Sequence, residues 1–237
     1  MNQRGLSIRR AHLERLYALF ADLERRVGGR RRLRDANKAL GWPERGVYFV
    51  FEQGELREDS KAHRVVRVGT HALKPGAKST VWGRLRQHRG TSRGGKLSGN
   101  HRKSVFRLHV GGALLERGEV VGPSSWGVRK ADRSVRGDEK PVEAAVSEAI
   151  GAMEVLCLKV AESPSLRAWV ESNCIALLSN RGRLPIDPPS SDWLGHHARA
   201  KAIRTSGLWN ANHVDEPYDP GFLEELERLV YALPSTR

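Results

Sequence analysis

An arginine and a histidine four positions apart, Arg84 and His88, are the residues of this sequence best suited to chemistry. They lie in a segment from Ser79 to His88 that predicts a helix, because Ser79 or Thr80 can cap it and the apolar residues repeat on one face. A guanidinium binds phosphate through charge-assisted hydrogen bonds, and an imidazole can take up or release a proton near neutral pH. One helical face would therefore combine an anion-binding group with a proton-transfer group.

Positive charge surrounds this pair. The chain has 41 Lys and Arg against 27 Asp and Glu, a formal net charge of +14 and a pI near 10.4. From Lys61 to Leu115 there is no Asp or Glu, while thirteen Lys and Arg fall in that stretch. A polyphosphate could approach this region without meeting a carboxylate, so nucleic acid is the expected partner.

The order of the predicted elements favours an α+β fold. Helices are predicted over 6–26, 79–88, 142–150, 163–178 and 219–233, and strands over 46–51, 65–69 and 153–160. The first two strands should form an antiparallel hairpin. The whole is predicted to be a small antiparallel three-stranded sheet flanked by helices, with an N-terminal helix and large insertions.

We expect an N-terminal helical and basic arm over residues 1–40 and one domain over 41–237, with insertions at about 90–150 and 180–205. Glycines at 94, 95 and 99 predict a flexible basic loop, and the segment 104–110 fits either a strand or the start of a helix. The arginine run over 30–34 fits either a solvated linker or a phosphate-contacting arm.

The two cysteines, Cys157 and Cys174, belong to no metal-binding or redox motif and are expected to be buried thiols in a reducing cytoplasm. No apolar run reaches the ~18 residues that a membrane span needs. A cytoplasmic protein without a membrane partner is therefore expected.

Three segments in order resemble the opening module of the GIY-YIG nucleases: Gly46-Val47-Tyr48, Arg67-Val68-Gly69 and the helix with Arg84 and His88. That family has a strand with Gly-Ile-Tyr, a second strand with Tyr-Ile-Gly, and a helix with Arg-x-x-x-His. The resemblance implies a GIY-YIG-like core and a metal-dependent endonuclease, with Tyr48, Arg84 and His88 as catalytic residues.

The family also has a glutamate on a helix after the third strand and, beyond it, an asparagine that braces the site. Glu171 fits the first position. Leu208-Trp209-Asn210 resembles the Leu-Trp-Asn that closes this module in GIY-YIG restriction endonucleases, so Asn210 is the favoured asparagine. Asn180 and Asn173 remain competing candidates.

The resemblance assigns each residue a role in phosphodiester hydrolysis. Glu171 would hold one Mg²⁺ or Mn²⁺, a hard cation that takes few protein ligands. Arg84 would contact the scissile phosphate, Tyr48 would act as base or proton relay for the attacking water, and His88 would relay a proton or orient the nucleophile. Three further cations are predicted to bind substrate phosphate: Arg67, Arg86 and Lys74.

Arg67 departs from the family, which usually has tyrosine there. A guanidinium is permanently charged and only donates hydrogen bonds, so Arg67 should bind phosphate and not act as a base. The same substitution leaves open a catalytically silent nucleic-acid-binding protein on this scaffold.

The Leu-Trp-Asn ending and the insertions favour a restriction-type enzyme that cuts double-stranded DNA, and such enzymes commonly act as dimers, so a homodimer is expected. An RNA-directed nuclease is a third reading, although no aromatic stacking motif favours it. A nuclease of the HNH type is disfavoured because the zinc cysteines and the compact ββα hairpin are missing.

Overall fold

A four-stranded antiparallel sheet lies at the centre of the computed structural model, which describes residues 3–74, 76–161 and 163–234. The strands are β1 (Arg31–Arg32), β2 (Gly46–Leu56), β3 (His63–Gly69) and β6 (Glu154–Lys159), in the spatial order β1-β6-β2-β3. Two short strands, β4 (Thr91–Arg93) and β5 (Lys96–Ser98), form a separate hairpin.

Helices cover both faces of the sheet. They are α1 (Gln3–Arg26), α2 (Val81–Arg89), α3 (Val105–Arg117), α4 (Arg133–Asp138), α5 (Lys140–Ala152), α6 (Pro164–Leu178), α7 (Lys201–Ser206) and α8 (Phe222–Tyr231). Side chains of β2 alternate between two cores: Val47 and Phe49 pack with α1, α6 and α8, whereas Tyr48 and Val50 pack with α2, α3 and α5. Burial on both faces explains why the start of β2 is apolar without alternation.

The predicted α+β class and antiparallel sheet are confirmed. β2 pairs with β3 and with β6, which are the three predicted strands. The sheet has a fourth strand that was not predicted, because Arg31 and Arg32 pair with β6. Two arginines carry no apolar alternation, so only the tertiary contact reveals this strand.

The basic run after α1 is tied into the fold. Arg30 donates to Glu24 at 2.9 Å, and its guanidinium carbon lies 3.8 Å from the ring centre of Phe51. Helix α1 contributes Leu13 and Leu16 to the core shared with α6 and α8. The domain boundary at residue 40 stays a prediction.

The glycine-containing segment that was predicted to be a flexible basic loop forms a short β-hairpin. Gly94 and Gly95 both have positive φ and form a two-residue turn between β4 and β5. For the segment 104–110 the helix is the correct alternative, since α3 begins after Ser104, whose hydroxyl accepts the Arg107 N–H at 3.2 Å.

None of the helices in the described residues combines the length and the apolar character needed to cross a membrane. Cys157 and Cys174 are both buried, and burial raises the pKa of each thiol. The thiols therefore stay protonated. The cytoplasmic location stays a prediction.

Candidate active site

The candidate site lies where β2 begins and β3 ends. Tyr48 on β2 is paired with Gly69 on β3. A Cβ atom at Gly69 would collide with the ring and hydroxyl of Tyr48, and one at Gly46 would collide with the carbonyl of Leu158. Both glycines are thus required by close packing. The contact between Gly69 and Tyr48 places the Tyr48 hydroxyl over the end of β3.

A chain of two hydrogen bonds runs inward from Tyr48. Its hydroxyl lies 2.7 Å from Nε2 of His88 on α2, and His88 Nδ1 lies 2.7 Å from the hydroxyl of Ser104, which caps α3. Tyr48 and His88 are each 1 % exposed, and Ser104 is 2 % exposed. Three elements therefore meet at one buried imidazole.

The other contacts of Ser104 favour one direction for these hydrogen bonds. Its oxygen already accepts the backbone N–H of Arg107 at 3.2 Å. When Tyr48 has lost its proton, the Ser104 hydroxyl donates to His88 Nδ1, the Nε2–H donates to the Tyr48 oxygen, and every group has a partner. The reverse tautomer would then leave the buried Ser104 proton without an acceptor among the described residues. The favoured tautomer has a proton on His88 Nε2, which donates to the oxygen of Tyr48.

His88 is held in the neutral form. Burial lowers its pKa well below the usual range, and the neighbouring Arg67, Arg84 and Arg107 lower it further. A neutral imidazole has one N–H, which fits the assigned donor to Tyr48. His88 is consequently a poor final acceptor for a proton.

Glu171 approaches from α6, on the other side of the sheet end. One carboxylate oxygen accepts the backbone N–H of Thr70 at 3.1 Å, and the Thr70 hydroxyl donates to the carbonyl of Gly46 at 2.8 Å. Burial raises the pKa of Glu171, while Arg67 and the Thr70 N–H act in the opposite direction, followed by His213 and Arg84. A carboxylate is thus fixed beside the last residues of β3.

Arg67 on β3 acts electrostatically on both the histidine and the glutamate. Its Nη1 donates to the carbonyl of Trp209 at 2.6 Å, and its guanidinium carbon lies 4.8 Å from the ring centre of Phe106. Its Nε is buried without a partner in the described part of the chain. The cation that replaces tyrosine is therefore anchored on one side, and it influences the pKa of both His88 and Glu171.

Asn210 is bound to the backbone of β3. Its side-chain oxygen accepts the N–H of Val68 at 3.0 Å, and its side-chain nitrogen donates to the carbonyl of Val68 at 2.8 Å. The N–H of Trp209 donates to the carbonyl of Val66 at 2.7 Å. Trp209 and Asn210 thus provide hydrogen-bond partners for backbone groups on the outer edge of β3, at the residues before and after Arg67.

The two competing asparagines lie elsewhere. The side-chain oxygen of Asn180 accepts from Arg9 and from the N–H of Ile186, each at 3.0 Å. Asn173 binds the carbonyl of Trp169 and the N–H of Asp219. The geometry thus brings Asn210, and neither competitor, to β3.

Arg84 and the predicted phosphate ligand Arg86 lie on α2, and the predicted phosphate ligand Lys74 lies in the loop before it. Nη1 of Arg84 donates to the Gln87 side chain at 3.1 Å and to the carbonyl of Lys103 at 3.2 Å. Arg86 and Lys74 are exposed and form no ion pair with described residues. Their roles stay predictions, and Pro75 beside Lys74 lies outside the described residues.

A family model described as the GIY-YIG domain matches residues 7–236, nearly the whole chain. The chain belongs to the GIY-YIG family. No curated protein and no solved structure gives a significant match. The family assignment makes the chain a nuclease with DNA as its implied substrate, and GIY-YIG nucleases generally use divalent metal ions.

The donors present fit a hard divalent cation with few protein ligands. No cluster of three or more His, Cys, Asp or Glu that could hold a metal occurs in the described ranges. Glu171 alone offers a carboxylate at this GIY-YIG site, and its second oxygen accepts no hydrogen bond from the described residues. A Mg²⁺ ion tolerates this, because it keeps several waters and takes its remaining ligands from substrate phosphate.

Several residues of the site were missed from the sequence. Ser104 orients His88, and Thr70 orients Glu171. His71, whose Nδ1 lies 3.0 Å from the carbonyl of Ser79, ties β3 to the start of α2. A serine before a helix was a readable capping signal for Ser104, whereas the other two contacts have no local signature.

Proposed function

We propose that this GIY-YIG chain is a Mg²⁺- or Mn²⁺-dependent endonuclease of restriction type that hydrolyses phosphodiester bonds in double-stranded DNA. The observation that carries the proposal is the meeting of Tyr48, His88, Arg67 and Glu171 around the end of β3. A proton-transfer pair, a cation and a metal-binding carboxylate are the groups that phosphodiester hydrolysis needs.

Tyr48 is the proton acceptor in this proposal. Negative charge on its oxygen is stabilised by the Nε2–H of His88, which Ser104 holds in the required tautomer. The ionised Tyr48 takes a proton from a water, the resulting hydroxide attacks phosphorus, and the bond to the leaving oxygen breaks. Arg67 cannot share this task, so Tyr48 is the single tyrosine base.

The remaining cations balance charge on the phosphate. Arg84 is held near the site by a side-chain amide and a backbone carbonyl, and no carboxylate of the described residues forms an ion pair with it. Its guanidinium would make charge-assisted hydrogen bonds to the scissile group as negative charge develops there. Arg67 adds charge from the β3 side, whereas Arg86 and Lys74 would bind flanking phosphates.

A divalent cation held by Glu171 would stabilise the charge that develops on the phosphate and on the leaving oxygen. Thr70 keeps the carboxylate in place, since it fixes one oxygen and leaves the other for the ion. Both Arg67 and Arg84 oppose the ion electrostatically, so metal and phosphate should bind together and not singly.

Cutting both strands of a duplex requires two sites. Each chain provides one such site, so a homodimer is the simplest arrangement for a restriction-type enzyme.

Incubation of supercoiled plasmid with the purified protein and Mg²⁺ or Mn²⁺ tests the proposal. We expect discrete metal-dependent fragments from the wild type. Tyr48→Phe, Arg84→Ala and Glu171→Ala should each reduce the rate by about 10²- to 10³-fold or more. Glu148→Gln, an exposed carboxylate on α5, is the matched control and should cut normally.

The alternative of a silent binding protein gives a different result. Such a protein would shift the DNA in a gel at low salt but would not cut it, whichever divalent ion is added. The three variants would bind like the wild type. Parallel RNA duplex and single-stranded substrates separate a DNA enzyme from an RNA-directed one.

A further inference from the structure

The hairpin of β4 and β5 projects from the body of the molecule. Thr91 pairs with Ser98, Ser92 with Leu97, and Arg93 with Lys96. Gly94 and Gly95, with φ of 55° and 75°, make the two-residue turn. All eight residues from 91 to 98 are exposed. Such a ribbon buries too little surface to be stable alone, so its conformation depends on its attachment.

The base of the hairpin is fastened to the helix that carries the site. Arg107 is fully buried, donates to the carbonyl of His88 at 2.9 Å and forms an ion pair with Glu143 at 2.5 Å. A Cβ atom at either Gly90 or Gly99, which flank the hairpin, would collide with groups that include the Arg107 guanidinium. The base of the hairpin is therefore packed against the side chain that binds the His88 carbonyl.

Both ends of the hairpin also lead directly into the site. Arg84 and His88 precede it on α2. After it, the carbonyl of Lys103 accepts from Arg84 at 3.2 Å, and the hydroxyl of Ser104 lies 2.7 Å from His88. Whatever the hairpin contacts must lie next to the bond that this site would cut.

The two faces of the hairpin differ in chemistry. By strand alternation Ser92 and Leu97 share one face of the hairpin, and both line a cavity of about 340 Å³ together with Thr91, Arg34, Asp35 and Arg89. The other face carries Arg93 and Lys96 directly opposite each other, together with the hydroxyls of the pair Thr91 and Ser98, which lie 2.8 Å apart. This face consists entirely of hydrogen-bonding side chains.

The opposed cations are not explained by the stability of the hairpin. Like charges directly opposite each other destabilise an antiparallel pair. Neither Arg93 nor Lys96 forms an ion pair with the described residues, and the sequence has no Asp or Glu from Lys61 to Leu115. An anion placed against this face would remove the repulsion, so the pair fits a polyanion better than solvent.

Size and reach decide between a backbone contact and a groove. The major groove of B-DNA, ~12 Å wide, admits a two-stranded ribbon. Three residues per strand at ~3.3 Å each give a reach of roughly 10 Å, or about three base pairs. Guanine presents two hydrogen-bond acceptors in that groove, and the Arg and Lys side chains at the tip of such a ribbon can donate to them.

We propose that the Thr91–Ser98 hairpin enters the major groove of duplex DNA beside the scissile phosphate and, through Arg93 and Lys96, sets the sequence at which the enzyme acts. This rests on the proposed function for the choice of duplex DNA. It adds the element that selects the sequence.

The test uses a pool of random-sequence duplexes in two separate assays. In the first, duplexes bound by the protein without divalent metal are recovered and sequenced. In the second, Mg²⁺ is added and the cut ends are sequenced. The Arg93→Gln/Lys96→Gln protein is compared with Arg15→Gln/Arg228→Gln, which removes the same charge from exposed positions on α1 and α8, across the sheet.

We expect the wild type and the control pair to enrich the same base pairs, and the hairpin variant to lose about ten- to hundredfold of that enrichment. The hairpin variant should still bind and cut DNA, with little preference. Equal enrichment by the hairpin variant and the wild type, or no enrichment by the wild type, would overturn the inference. Binding without cutting by the wild type contradicts the proposed function alone, because the first assay still reports on the hairpin.

Discussion

The candidate site has a buried half and an open half that are built on different principles. The buried half is Tyr48, His88 and Ser104, each at most 2 % exposed and each hydrogen-bonded. The open half is Glu171 and Arg84, which keep incompletely paired charge. Under the proposed function, packing fixes the proton-transfer groups before substrate arrives, whereas the charged groups are left for phosphate and metal to complete.

Arg67 connects the two halves. It is buried like the first half, at 9 % exposed, yet like the second it forms no ion pair with the described residues. Its anchor on the Trp209 carbonyl limits how far it can move. The comparison therefore predicts that changes in the open half affect activity alone, while changes in the buried half affect activity and stability together.

The largest effect is expected from Glu171→Gln in the open half. The amide keeps an oxygen for the Thr70 N–H but loses the negative charge for the metal, so the cleavage rate should fall about 10³-fold or more. The thermal unfolding midpoint should change little. Plasmid cleavage and calorimetry check both, and a large fall in the unfolding midpoint would break the proposed division between the halves.

Asn210→Ala should be the most destabilising substitution. It leaves both the N–H and the carbonyl of Val68 without their partners, which costs about 3 kcal/mol of unfolding free energy. Urea denaturation measures this, and Asn212→Ala, at an exposed position two residues on, is the control. Equal stability of the two variants would contradict the bracing role.

Ser104→Ala should show the mixed behaviour of the buried half. The change removes the cap of α3 and the partner of His88 Nδ1, so we expect about 1 kcal/mol lower stability and about tenfold slower cleavage. Ser163→Ala removes the cap of α6, far from His88, and should lower stability without slowing cleavage. Similar cleavage rates for the two variants would argue against the tautomer assigned to His88.

Acid should destabilise the protein through three histidines, the buried His71 and His88 and the half-buried His109. Burial lowers the pKa of His71 and of His109 to about 4, and that of His88 well below its usual range. The unfolded chain binds protons at these residues first, so stability is complete above about pH 6.5 and falls as the pH drops towards 4.

Urea denaturation at pH 7.5 and pH 5 measures this loss. His71→Gln should show a smaller loss than the wild type. The exposed His197→Gln should show the same loss as the wild type. A loss that is unchanged in His71→Gln would exclude His71 as a contributor.

The smallest effects belong to the exposed cations. Arg86→Gln and Lys74→Gln should each reduce the slope of log K against log salt by about 1, because each removes one phosphate contact. Fluorescence anisotropy on a duplex gives the slopes, with Arg15→Gln as a control on the opposite side of the sheet. An unchanged slope would remove that residue from the DNA surface.

Much of the fold was readable from local pattern. The hairpin of β2 and β3, the helix with Arg84 and His88, and the strand and helix that lead to Glu171 all follow from residue periodicity and capping signals. The fourth strand and the β4–β5 hairpin were missed, because Arg31–Arg32 and the exposed hairpin contain no apolar alternation.

The sequence by itself determined the elements and the order of the motif residues, since these depend on spacing along the chain. It did not decide which of three asparagines contacts β3, and it contained no sign that the Thr70 N–H would bind Glu171. Only the tertiary structure decided these points, because each depends on a contact between residues about 100 or more positions apart. The position of the Arg67 guanidinium was decided in the same way, by the Trp209 carbonyl that accepts its hydrogen bond from 142 residues further along the chain.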